Sequence, residues 1–195
     1  MASKSYRPKS RMEALVWIAL IVFIGYRIWP QGAAAFGFNS ENAPVPSFQL
    51  TELDGSSVSS ASLRGKVVLV NFWATWCAPC RFEMPGFQSV YDSRKDRGFV
   101  VLGISTDGDR DLIDRFLAEH HITYPIAMAS GSVVQDFGGV NVLPTSFLID
   151  RNGRIRNEVR GMFASVALRS AVDHLLAEPP PPVASAATGG VAGSQ

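Results

Sequence analysis

Hydrophobic positions along this chain fall into runs of three kinds. The first is a long apolar stretch near the N-terminus, Met12 to Trp29, interrupted by Glu13, Gly25, Tyr26 and Arg27. The second is short and rich in β-branched residues: Val67-Val68-Leu69-Val70 and Phe99-Val100-Val101-Leu102-Gly103-Ile104. Runs of that length and composition predict buried strands. The third recurs at helical spacing. Phe82, Phe87, Val90 and Tyr91 form one such set, Leu112, Ile113, Phe116 and Leu117 another, and Val166, Leu168, Val172 and Leu175 a third. Each predicts a helix with one face on a core.

Placed in order, these runs predict an α/β domain. Phe48-Gln49-Leu50 alternates and starts a short strand. Asp54-Gly55 is a hairpin turn signal, with Val58 and Leu63 beyond it. Lys66 to Trp73 is the first central strand, Cys77 to about Arg94 a helix that Pro85 should kink, and Phe99 to Ile104 a second buried strand. Two such strands joined by a helix make a right-handed βαβ unit with parallel strands. Asp107 to Asp111 reads as a polar helix start, and Tyr124-Pro125-Ile126-Ala127 as an edge strand, where proline is tolerated. Ser132 to Phe137 reads as a short helix ending at Gly138-Gly139. Thr145 to Asp150 and Ile155 to Arg160 pair through Asn152-Gly153, and Ser165 to Leu176 closes the domain as a helix.

The long N-terminal run has the length, ~20 residues, that crosses a bilayer. Lys4, Arg7, Lys9 and Arg11 precede it, a basic flank that stays in the cytoplasm. Trp17, Tyr26 and Trp29 suit the two interfaces, and Arg27 can snorkel outward. A cleaved signal peptide is the alternative, since Ala33-Ala34-Ala35 offers a cleavage site, but Arg27, Trp29 and Pro30 separate it from the apolar run. Both readings put the rest of the chain in an oxidising compartment outside the cytoplasm. The expected organisation is a cytoplasmic basic segment over 1–11, a membrane anchor over 12–29 and a Gly-, Ala- and Pro-rich linker over 30–46. A folded domain follows over 47–177, then a Pro- and Ala-rich disordered tail over 178–195.

Composition changes this picture little. The 195 residues fit one domain with appendages, and a hydrophobic share of 47% is enough for a sizeable core. A net charge of +1 gives no argument for nucleic-acid binding. Both of the chain's two cysteines lie in one motif.

That motif carries the candidate chemistry. Cys77 and Cys80 stand three apart where a strand gives way to a helix, so their thiols share one helical turn. Cys77 meets the free N–H groups and positive dipole end of that helix, which stabilise a thiolate, the reactive species. Cys80, one turn deeper, is within reach to close a disulfide onto Cys77. Half of a zinc site lacks its remaining ligands, because no other cysteine exists and His120, His121 and His174 show no companion spacing. A purely structural disulfide closing so short a loop gains little entropy. A Cys-x-x-Cys in a βα setting is first a redox motif, and it needs no metal or cofactor.

The string Asn71-Phe72-Trp73-Ala74-Thr75-Trp76-Cys77-Ala78-Pro79-Cys80-Arg81, followed by Glu83-Met84-Pro85, resembles the membrane-anchored thioredoxin-like thiol–disulfide oxidoreductases of the TlpA and ResA type. The likeness continues through Val142-Leu143-Pro144-Thr145-Ser146-Phe147-Leu148-Ile149-Asp150 and covers roughly residues 44 to 178. It implies a thioredoxin fold with a central insertion and an N-terminal β-hairpin. Cys77 is then the attacking and Cys80 the resolving thiol, with Trp76 and Pro79 framing them. Pro144 is the cis-proline beside the pair, exposing the Leu143 backbone to an extended substrate segment. The resemblance further implies electrons from a transmembrane thiol transporter of the DsbD or CcdA type, and substrates among apocytochrome c or copper-site cysteines.

Some positions stay open. Glu83, one turn beyond Cys80, is either a carboxylate that tunes the thiols or a solvated charge on the helix face. Asn71 stands where thioredoxin has a buried aspartate, so any proton relay needs another group. Ala78 replaces a glutamate that ResA carries. Trp76 either contacts substrate or simply packs, and Arg81 either favours the thiolate or is an idle surface charge. Two rival functions are a peroxiredoxin-like thiol peroxidase and a copper metallochaperone. The first sets a Pro-x-x-x-Thr-x-x-Cys pattern that residues up to Cys77 do not supply. The second uses a wider cysteine spacing and a distant histidine.

Overall fold

The computed structural model describes residues 42–180. The expected basic segment over 1–11 and membrane helix over 12–29 lie outside them, as do most of the linker and the tail. No helix among the described residues is long and apolar enough to cross a membrane.

The chain builds β1 (Gln49–Thr51), β2 (Ser57–Ser59), β3 (Val67–Trp73), α1 (Ala78–Arg94) and β4 (Phe99–Ser105), then α2 (Arg110–Glu119), β5 (Ile126–Met128) and α3 (Gly131–Asp136). It ends with β6 (Thr145–Ile149), β7 (Ile155–Arg160) and α4 (Ser165–Ala177). Five strands form a mixed sheet in the order β5-β4-β3-β6-β7, with β3, β4 and β5 parallel and β6 and β7 antiparallel to their neighbours. This is the thioredoxin-type α/β arrangement. All seven residues of β3 are buried, because it is the middle strand and both its faces are covered.

Alternation along β3 divides the core in two. Val67, Leu69 and Trp73 pack with Met84, Phe87 and Val90 of α1 and Leu168 and Val172 of α4. Val68, Val70 and Phe72 face the other way, onto Phe137, Phe147 and the hairpin residues Leu50 and Val58. The β1–β2 hairpin turns at Asp54-Gly55, where Gly55 adopts φ 89° and Asp54 Oδ1 accepts the Ser56 N–H at 2.8 Å. It also covers the open edge of β5, through a Glu52–Ala127 bridge and a Leu53 N–H bond to the Ile126 carbonyl.

Several side chains differ from the sequence expectation. Phe82 is 77% exposed and Val166 78%, so neither belongs to an inner face. The buried stripe of α1 is Cys80, Glu83, Met84, Phe87, Val90 and Arg94, a line that includes two charged residues. Leu112 is also exposed, leaving Ile113 and Phe116 as the buried positions of α2. Helix α1 continues through Pro85, which lies on its exposed side.

Both ends of the described chain attach at one pole. Val45 N–H bonds the Gly153 carbonyl, Ile155 N–H bonds the Ala43 carbonyl, and Arg154 Nε donates to Asn42 Oδ1 at 2.9 Å. The last residues assigned to the linker therefore sit on the β6–β7 turn. Glu178, assigned to the tail, accepts Arg156 Nη1 at 2.8 Å and takes Arg151 Nη1 on its carbonyl. The register pairs Val68 with Ile149 and Phe72 with Thr145, so this turn lies at the start of β3 and the cysteines lie beyond its other end.

Candidate active site

Strand β3 ends at Trp73, and a tight turn closed by the Cys77 N–H on the Ala74 carbonyl (3.1 Å) leads into α1. Cys77 is the N-cap residue, in extended conformation, and its Sγ accepts the Cys80 N–H at 3.3 Å. Pro79 supplies no N–H, so the donor that a sulfur at the cap meets is Cys80's own. The two cysteines are joined, with an S–S distance of 2.05 Å. Cys77 is 5% exposed and Cys80 wholly buried, an asymmetry that leaves Cys77 as the sulfur a partner can reach.

Three residues beyond Cys80, on the buried face of α1, lies a carboxyl group. Glu83 points inward from α1 and is 5% exposed, so it is no solvated helix-face charge. Its Oε2 accepts the Phe163 N–H at 2.8 Å and its Oε1 accepts Asn71 Nδ2 at 3.1 Å. Burial pushes its carboxyl up to about 8, outweighing the two donors that favour the ionised form. Asn71, wholly buried on β3, also donates to Ser146 Oγ at 3.0 Å, while its Oδ1 has no partner among the described residues. Tyr124, also buried, has its hydroxyl held neutral by desolvation and by the charge of Glu83. Asn71 does not ionise, and Glu83 is the group in this layer that can exchange a proton near neutral pH.

Trp76 is 72% exposed, so it does not simply pack. Arg81 stacks its guanidinium over the Phe116 ring at 5.8 Å, and Phe116 in turn lies 5.1 Å from Trp73. The Leu143–Pro144 peptide bond is cis. Pro144 is buried just before β6, and half-buried Leu143 packs against the core cluster that holds Cys77 and Cys80.

The sequence reading missed Asp107. It is not part of a helix start: Asp109 caps α2, accepting the Asp111 and Leu112 N–H groups. Asp107 is buried and faces Thr75, 32 residues earlier. No local pattern signals a contact of that span.

A model of the AhpC/TSA family matches residues 42–158. The thiol-disulfide oxidoreductase ResA of Oceanobacillus iheyensis is 38% identical over 121 residues, which span 60% of this chain and 63% of that protein. ResA of Geobacillus thermodenitrificans is 30% identical over 150 residues, 77% of this chain and 86% of that one. Among solved structures, a thiol:disulfide interchange protein of the thioredoxin family from Chlorobium tepidum superposes with a TM-score of 0.65 at 34% identity, covering 71% of this chain and 99% of its own. The chain thus spans just under two thirds of the first of these relatives and most of the other two. With the family model over the larger part of its length and a Cys-x-x-Cys at the head of α1, this chain belongs to the AhpC/TSA family, among its thioredoxin-like thiol–disulfide oxidoreductases.

Proposed function

We propose that the chain reduces disulfides of proteins outside the cytoplasm, through Cys77 and Cys80. The observation that carries this reading is the position of Cys77 Sγ, at the N-cap of α1 and on the Cys80 N–H. In the dithiol form, the Cys77 thiolate attacks one sulfur of a substrate disulfide, and the other substrate sulfur leaves as a thiolate. Cys80 then gives up its proton and attacks Cys77 Sγ. The Cys77–Cys80 disulfide forms and the second substrate sulfur departs. Two electrons pass to the substrate, and protons end on its two thiols. Cys80 is wholly buried, so its proton needs a nearby acceptor; Glu83, one helical turn on, is poised near neutral pH to be it. Trp76 and Leu143, beside the pair, are the substrate contacts.

The finer reading adds the cell. The apolar run over 12–29 anchors the chain in the cytoplasmic membrane with the domain on the outer side, and a transmembrane thiol transporter of the DsbD or CcdA type re-reduces it. Apocytochrome c or copper-site cysteines are the substrates. This rests on the N-terminal sequence pattern and the family likeness.

The test is trapping. Cys80→Ser should accumulate mixed disulfides with substrate proteins and Cys77→Ser should accumulate none. Trapping by Cys77→Ser alone would reverse the two roles, and peroxide consumption without protein-disulfide reduction would replace the reading with a thiol peroxidase.

A further inference from the structure

The turn that carries Trp76 and Cys77 is fastened from outside its own elements. Asp107 follows β4, and its Oδ2 accepts the Thr75 N–H at 2.8 Å and the Ser105 hydroxyl at 2.9 Å. Its Oδ1 accepts the Thr75 hydroxyl at 3.0 Å. Its own N–H bonds back to Ser105 Oγ at 3.2 Å, so the carboxylate is itself held in place. Both donors of Thr75, its N–H and its hydroxyl, are thus fixed on one buried carboxyl group. Beside them, Thr106 bonds the Trp73 carbonyl through its N–H at 2.9 Å and its hydroxyl at 3.3 Å.

Cys77 has fastenings of its own. Its N–H is on Ala74, its carbonyl accepts the Arg81 N–H, and its sulfur sits on the Cys80 N–H. Trp76, between Thr75 and Cys77, is mostly exposed. Thr75 is the last fixed point before that indole.

We propose that Asp107 is a positioning residue that, through Thr75, fixes the turn presenting Trp76 to protein substrates, and so sets recognition of a protein disulfide without taking part in the thiol chemistry. This rests on the reading of Cys77–Cys80 as the redox centre. A turn released from Asp107 leaves the indole free to sample other orientations. Ordering it again on binding opposes association, so the loss falls on KM. A small disulfide, which needs only the Cys77 sulfur, is unaffected.

The experiment compares steady-state reduction of a folded protein disulfide and of a small aromatic disulfide by the reduced full-length protein. Asp107→Ala should raise KM for the protein substrate several-fold, with kcat and the small-disulfide rate within about twofold of the parent. Asp107→Asn should restore KM, because its carbonyl oxygen can accept the Thr75 N–H while its amide donates to the Thr75 hydroxyl. Trp76→Ala should raise KM similarly, and the double variant should show no further rise, the non-additivity expected when one residue acts through the other. Equal losses on both substrates, failure of Asp107→Asn to rescue, or additive effects would each overturn the proposal. If Asp107→Ala does not fold, Thr75→Val, which removes one of the two bonds, should move KM in the same direction, and an unchanged KM would overturn the proposal. A parent protein that reduces the aromatic disulfide but no protein disulfide would instead defeat the functional reading.

Discussion

The carboxyl of Glu83 makes this fold less stable as the pH rises. A glutamate ordinarily titrates near 4.5, and burial moves this one to about 8 in the folded chain. Each tenfold change in proton affinity is worth about 1.4 kcal/mol, so the difference between the two states amounts to the order of 5 kcal/mol. The sign follows from which state holds the proton more tightly. The folded chain does, so the stabilisation is complete below the unfolded value, declines above it, and is lost once the pH has risen through about 8. Small domains are stable by roughly 5–15 kcal/mol in all, so the loss is a large share. Glu83→Gln removes the titration. Its two partners are both N–H donors, but the Asn71 amide can turn over and offer its unpartnered Oδ1 to the new amide group. The assay is denaturant unfolding of the oxidised protein from pH 5 to pH 9, with both cysteines held in the disulfide and unable to titrate. Subtracting the variant curve from the parent curve cancels the other groups. That difference should fall by several kcal/mol across the window and level off above it. A constant difference would refute the burial of an ionisable Glu83 as described.

The contact between α1 and α4 gives a packing prediction: a Cβ at Gly86 would lie 2.8 Å from Ser165 Cβ. Gly86→Ala should cost about 1–3 kcal/mol in unfolding free energy by overpacking, despite its better helix propensity, and adding Ser165→Gly should recover most of it. For the anchor, a reporter fused after Gln195 should be active only outside the cytoplasm and stay in the membrane fraction after carbonate extraction. Reporter activity in the cytoplasm would sink the anchor and the signal peptide alike.

The redox pair, the strand before it and the order of elements were legible because each leaves a local mark. The run Val67-Val68-Leu69-Val70 has the length and branching of a buried strand, and it is the middle of the sheet. Asn152-Gly153 and Asp54-Gly55 mark their turns. The inner face of α1 was harder to read because Glu83 and Arg94 lie on it, so a search for apolar spacing alone drifts toward Phe82. The state of Glu83 depends on Asn71, 12 residues before it, and on Phe163, 80 after it. Asp107 reads as one acid in an acidic stretch until β4 carries it to Thr75. Contacts of that span are set by the sheet order, which no window of sequence displays.

The pole shared by the two ends of the described residues has a consequence for any mooring of this domain. Residues 42–45 and Glu178 are pinned at the β6–β7 turn, and Cys77 lies past the far end of β3, a strand whose seven residues span roughly 23 Å. Whatever holds the domain by either terminus, whether bilayer, fusion partner or solid support, holds it by its base with the sulfurs outward. Diffusing proteins then meet the reactive end first. A thiol donor lying in the same surface as the mooring meets the unreactive end, and the domain must tip over to be recharged. Were the domain moored through the residues before 42 and recharged by such a donor, shortening that segment should slow re-reduction while leaving the attack on a soluble substrate untouched.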